Sequence, residues 1–91
     1  MSNVRSGREI DSALRRKGFR RERDGKHVHY FFVENPMVVT HMSHGMMGSS
    51  IDANLMSRMA RQLHLSRKQF LNFIDCLLDA ASYRVILLEQ R

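Results

Sequence analysis

Phe19-Arg20-Arg21-Glu22-Arg23-Asp24-Gly25-Lys26-His27-Val28-His29-Tyr30-Phe31-Phe32-Val33 is the stretch that decides how this chain folds. Asp24-Gly25 is a two-residue hairpin signal, because a type I′ turn needs the positive φ that Asp and above all Gly accept. Phe19 to Arg23 alternates weakly before it, and His27 to Val33 reads as the returning strand. Alternation puts His27, His29 and Phe31 on one face and Val28, Tyr30 and Phe32 on the other. Both faces carry aromatic bulk, so the pattern leaves open which is buried.

Downstream, Glu34-Asn35-Pro36 makes a turn and Met37 to Met42, rich in β-branched residues, makes a third strand, giving a three-stranded antiparallel meander. Upstream, Ser6-Gly7-Arg8-Glu9 is a capping box that opens a helix from Gly7 to Lys17, with Ile10, Ala13 and Leu14 inward and Gly18 as its stop. Arg8, Arg15 and Arg16 lie off that apolar stripe and face water or a ligand.

Ser43 to Ser50 has two glycines and no period. It reads as a mobile loop, with Met46 and Met47 as the exposed methionines. Asp52 caps a helix from Ala53 to Leu63 with Leu55, Met56, Met59 and Leu63 inward. Ser66-Arg67-Lys68-Gln69 is a second capping box, opening a helix whose stripe is Phe70, Phe73, Ile74, Leu77 and Leu78, with Cys76 as a buried thiol among them. A last helix from about Ser82 carries Tyr83, Ile86 and Leu87. The apolar residues of these two helices exceed what one flank of a small sheet covers. That surplus predicts either a second layer in the monomer or a homodimer interface.

The chain is thus expected to be one α+β domain of 91 residues: helix, three-stranded antiparallel sheet, helix, and a C-terminal helical extension. Its net charge is +6, and residues 1 to 26 hold nine Lys/Arg against four Asp/Glu. A basic cluster of this kind points to a polyanion, nucleic acid first, although a solvated basic helix fits the same charges. A lone cysteine excludes an intramolecular disulfide and suits a cytoplasmic protein. No window has the roughly 20 apolar residues that span a bilayer, so no membrane partner is expected.

Cleaving RNA without a metal requires a base for the 2′-OH, an acid for the 5′-oxygen and a cation for the phosphorane. His27 can serve as base or acid, with His29, His44 or Lys26 as the second group. Lys26 is the better choice for phosphate charge, because its ammonium need not titrate. Lys17, Arg20, Arg21 and Arg23 add sequence-independent phosphate contacts, with alternation sending Arg21 and Arg23 to one face and Arg20 to the other. Alternatively His27 is an incidental strand residue. Tyr30, Phe31 and Phe32 are candidates to stack on bases, as aromatics on single-strand binding sheets do, but are expected to be core, because the packed face of the sheet needs large apolar side chains. A metal cluster of His27, His29, His41 and His44 is disfavoured, since no acidic or thiol ligand lies near them in sequence.

The order of these elements, with Ser6-Gly7-Arg8-Glu9-Ile10, Ala13-Leu14, Gly18-Phe19, Gly25-x-His27, Ser43-His44-Gly45 and the Leu55 to Ser66 segment, resembles the HicA (YcfA-like) family of toxin-antitoxin RNases across residues 6 to 66. The resemblance implies a fold like the double-stranded RNA-binding domain and metal-independent cleavage of mRNA with no cofactor. It also implies His27 as the catalytic histidine and a HicB-type antitoxin as partner. Two departures stand out: Lys26 occupies the place of the family's usual Ser, and residues 67 to 91 extend beyond the usual toxin.

Overall fold

Ser6 caps the first helix in both directions. Its hydroxyl accepts from the Glu9 amide at 3.1 Å, and the Glu9 carboxylate accepts from the Ser6 amide at 3.1 Å. In the computed structural model, which describes residues 5–89, a two-residue strand β1 (Arg5–Ser6) runs into this helix, α1 (Gly7–Arg16). Gly18 at φ 92° then turns the chain into β2 (Phe19–Asp24).

β2, β3 (His27–Phe32) and β4 (Asn35–Ser43) form the expected antiparallel meander in the order β2-β3-β4. Its first turn is not type I′. Asp24 pairs with His27, so the loop is Gly25-Lys26, and only Gly25 has positive φ, at 62°. Type I′ needs positive φ at both loop positions.

The face left open by alternation resolves in favour of Val28, Tyr30 and Phe32, which are buried with Phe19, Val38, Thr40 and Met42. All four α-helices among the described residues contribute to the core on that side. α1 packs on β2, α2 (Ala53–Gln62) packs on β4, and α3 (Arg67–Ile74) packs against both helices. α4 (Ala80–Glu89) inserts Tyr83 between Phe19, Phe32 and Phe73, with ring centroids 6.0, 5.2 and 4.8 Å away. The Tyr83 hydroxyl donates to the Leu63 carbonyl at 2.8 Å. The C-terminal helices therefore form a second layer in the monomer, while Leu77, Val85 and Leu88 remain exposed. No helix among the described residues is long and apolar enough to cross a membrane.

Three local expectations need correction. α3 ends at Ile74 and does not continue through Leu78, because a Schellman turn closes it. Leu77 N–H donates to Asn72 O at 2.8 Å, Cys76 N–H donates to Phe73 O at 3.3 Å, and Cys76 takes φ 65°. That turn leaves Cys76 and Leu77 exposed, not buried.

Residues 43 to 50 are tied down at several points. A 3₁₀ turn (His44–Met46) leads to β5 (Ser50–Ile51), which pairs with β1. The amides of Gly7 and Arg8 donate to Ser49 O and Met47 O at 3.0 and 2.9 Å, and the His44 amide donates to Lys26 O at 2.7 Å. Met46 and Met47 accordingly pack against the core, and Met37 is the methionine left 90% exposed. Phe31 is the third correction, for it lies on the uncovered face with the histidines and outside the core.

Candidate nucleic-acid interface

Every second residue of β3 and β4 points away from the helices, and on this face none of His27, His29, Phe31, Val39 and His41 is buried. Antiparallel register sets His29 directly opposite His41 and Phe31 opposite Val39. The three imidazoles consequently form a triangle, with ring centroids 6.0 Å apart for His27 and His41, 5.6 Å for His29 and His41, and 6.5 Å for His27 and His29. His29 lies near-parallel to His41 on one side and to Phe31 on the other, the latter at 6.3 Å. The result is a stacked row of Phe31, His29 and His41, with His27 set at an angle to it beside the hairpin turn. Among the described residues, no group of three or more His, Cys, Asp or Glu is placed to hold a metal ion.

His41 is half-buried. Partial burial lowers its proton affinity below that of a free imidazole, and the charge of Arg58 and the neighbouring His29 and His27 add to the effect. These effects favour the neutral ring, the form that accepts a proton. His27 is exposed beside Lys26, itself exposed in the turn.

His44 does not join this triangle. It follows the end of β4 and lines a separate cleft on the helix side with Arg8, Asp11, Ser12, Arg15, Arg21 and Met47.

The basic residues divide among three environments. Arg20 is on the open face and pairs with Glu22 at 3.5 Å. Arg21 and Arg23 point to the helix side, as alternation predicts, and Arg23 donates to the Gly25 carbonyl at 3.1 Å, bracing the turn. Lys17 is turned inward. Its ammonium donates to the carbonyls of Phe73 and Leu78 and lies 4.5 Å from the centre of the Phe73 ring. Burial lowers its proton affinity. Lys17 holds the end of α3 to the end of α1 and presents no charge to a ligand.

Asp11 is the residue that sequence reasoning missed. It belongs to α1 yet is 5% exposed, and its carboxylate accepts from the Tyr30 hydroxyl at 2.6 Å, from Arg21 at 3.1 Å and from Arg15 at 3.0 and 3.1 Å. Burial and this carboxylate push the Tyr30 phenol far up from its ordinary value. The available signal was the position of Asp11, three residues before Leu14 on the apolar stripe and four before Arg15. Comparison with known proteins gives no matching family model, no matching curated protein and no matching solved structure.

Proposed function

We propose that this chain is a small RNA-binding protein of HicA type that cleaves RNA by acid–base chemistry at the open face of its sheet. The observation that carries the reading is the triangle of His27, His29 and His41 on an uncovered strand face, in a chain of net charge +6. His27 and His41 share one open face with ring centroids 6.0 Å apart, close enough for both to reach oxygens of one phosphodiester. His41, held neutral, takes the proton of a 2′-OH as that oxygen attacks phosphorus. The bond from phosphorus to the 5′-oxygen breaks, and His27, acting as general acid, donates a proton to the leaving oxygen. The products are a 2′,3′-cyclic phosphate and a free 5′-OH. The Lys26 ammonium lies beside His27 in the turn and offsets charge on the phosphorane. In this reading His41, and not His44, is the partner of His27.

The order of one helix, a three-stranded meander and further helices on one face is also what a fold like the double-stranded RNA-binding domain requires. A HicB-type antitoxin is the natural partner for such an activity, and Val33 and Met37, 63% and 90% exposed, give it apolar surface near the open face.

The test is a labelled RNA incubated in EDTA with wild type, His27→Ala and His41→Ala, and resolved on a gel. Wild type produces fragments, and each variant loses on the order of 10²-fold or more in rate. Intact RNA in the wild-type lane, or fragments that persist in both variants, overturns the catalytic reading.

A second reading is favoured by the stacked row of Phe31, His29 and His41. Such a row can hold single-stranded bases without any proton transfer, so the same face serves a non-catalytic RNA-binding module. In that case Phe31→Ala weakens binding and no variant alters RNA integrity.

A further inference from the structure

The cleft on the helix side of the hairpin is built around a buried carboxylate, yet its walls are cationic. Arg8, Arg15 and Arg21 line it together with Ser12 and His44, around an open volume of about 490 Å³. Asp11 sits at its base and is the acid that compensates them. Its two oxygens are occupied by Tyr30, Arg21 and Arg15, with Arg15 held through Nε and Nη2. Arg8 forms no ion pair with a carboxylate among the described residues. Three guanidiniums against one carboxylate leave two positive charges uncompensated. Arg15 and Arg21 remain 52% and 43% exposed, so the sides of their guanidiniums that do not face Asp11 can donate into the cleft.

Fixing a guanidinium from behind with a carboxylate removes most of the freedom that an arginine loses on binding. It also leaves the outer fork of Nη donors, on the side of Arg15 away from Asp11, free to meet phosphate oxygens. A hydroxyl from Ser12 and a ring from His44 complete a set of donors suited to an anion with several oxygens.

We propose that this cleft is a phosphate site, and that the phosphate it takes is one in the backbone of bound RNA. The identity of that ligand rests on the RNA reading above, whereas the phosphate chemistry rests on the cleft alone. Because Arg21 leaves β2 on the side opposite to Arg20 and the histidine face, a strand held here passes around the edge of β2 on its way to His27. The cleft thus positions the backbone and the open face acts on it.

Two measurements test this. In the first, the full chain is titrated with inorganic phosphate at low ionic strength while the Nε–H signals of its arginines are followed by NMR. Arg8 and Arg21 shift saturably, whereas Arg23 and Arg15, whose Nε–H groups are occupied with the Gly25 carbonyl and the Asp11 carboxylate, do not. In the second, the affinity for a labelled single-stranded RNA is measured against salt. Arg8→Gln, which removes no partner from Asp11, lowers affinity about tenfold and reduces the salt slope by about one. Arg15→Lys keeps the charge but loses the fork, and weakens binding at an unchanged slope.

Absence of any saturable shift with phosphate overturns the site, even if RNA binds elsewhere on the molecule. Phosphate shifts combined with an RNA affinity indifferent to Arg8→Gln reject RNA backbone as the ligand. A wild type that binds no RNA but shows the phosphate shifts strikes the RNA reading while the phosphate cleft stands.

Discussion

Replacing Asp11 by alanine tests the buried network at its centre, and the structure sets the size of the effect. Tyr30 is 0% exposed and its hydroxyl has Asp11 as acceptor at 2.6 Å, so the variant strands a buried donor at a cost of about 1–3 kcal/mol. Arg15 and Arg21 also lose their partner, but at 52% and 43% exposure water replaces most of what they had, leaving about 0.5 kcal/mol each. Alanine's better helix propensity returns about half a kcal/mol. The sum is a loss of about 1.5–3.5 kcal/mol, set against a total stability on the order of 10 kcal/mol for a chain this long. In thermal unfolding it lowers the midpoint by roughly 10–20 °C.

Asp11→Asn retains an acceptor for Tyr30 and is expected to cost only about 1 kcal/mol. The double variant Asp11→Ala with Tyr30→Phe leaves no orphan and should cost about 1–2 kcal/mol less than the two single losses together. Urea unfolding of wild type, Asp11→Ala, Asp11→Asn, Tyr30→Phe and the double variant provides all the values. A loss below about 0.5 kcal/mol for Asp11→Ala, or strict additivity in the double variant, would refute the reasoning.

Three further outcomes follow from other sites. His41 binds its proton less readily folded than unfolded, so the stability it contributes is present above about pH 6.5 and is lost as pH falls through its folded value. His41→Gln flattens that part of the pH profile in urea midpoints, and an unchanged profile counts against the burial of this ring. A Cβ on Gly7 would stand 2.2 Å from Met46 O and 2.8 Å from Met47 Cα, both backbone atoms. Gly7→Ala is therefore expected to cost about 2–4 kcal/mol and to accelerate hydrogen exchange at the Arg8 amide; retained stability would show that the loop yields easily. Cys76 at φ 65° is exposed in a position that suits glycine, so Cys76→Gly raises stability by about 0.5–1 kcal/mol in the same denaturation assay, and a loss would locate a packing role for the thiol.

Local signals carried much of the fold. Both capping boxes, the Asp52 cap, the Gly18 stop and the three strands stand where side-chain chemistry with the adjacent backbone puts them, because those interactions span only a few residues. The buried face of β3 was not legible, since His27-His29-Phe31 and Val28-Tyr30-Phe32 are both bulky and only the docking of α1 and α2 distinguishes them. Cys76 was misread because its apolar neighbours suggested a continuing helix, whereas Asp75 is drawn away to Arg5 by a two-point ion pair at 2.8 and 2.6 Å. Lys17 and Asp11 show the same limit from the other side. Asp11 is a charged residue on the inward stripe of α1 and Lys17 caps its end, and the groups that satisfy them, Tyr30 for one and Phe73 O and Leu78 O for the other, are distant in sequence.

The pairing of β1 with β5 also bears on the order in which the molecule assembles. The meander closes through short turns, whereas Arg5 meets Ile51 only after the whole segment between them has been gathered in, at a loop-closure cost on the order of 3 kcal/mol. Nucleation therefore belongs to the β2-β3-β4 hairpins with α1 against them, and the β1–β5 contact joins late. In kinetic terms, substitutions at Arg5 or Ser50 should chiefly accelerate unfolding, while substitutions at Val28 or Tyr30 should slow folding. The two-strand clasp is then a latch on a structure already formed, and the first part of it to let go.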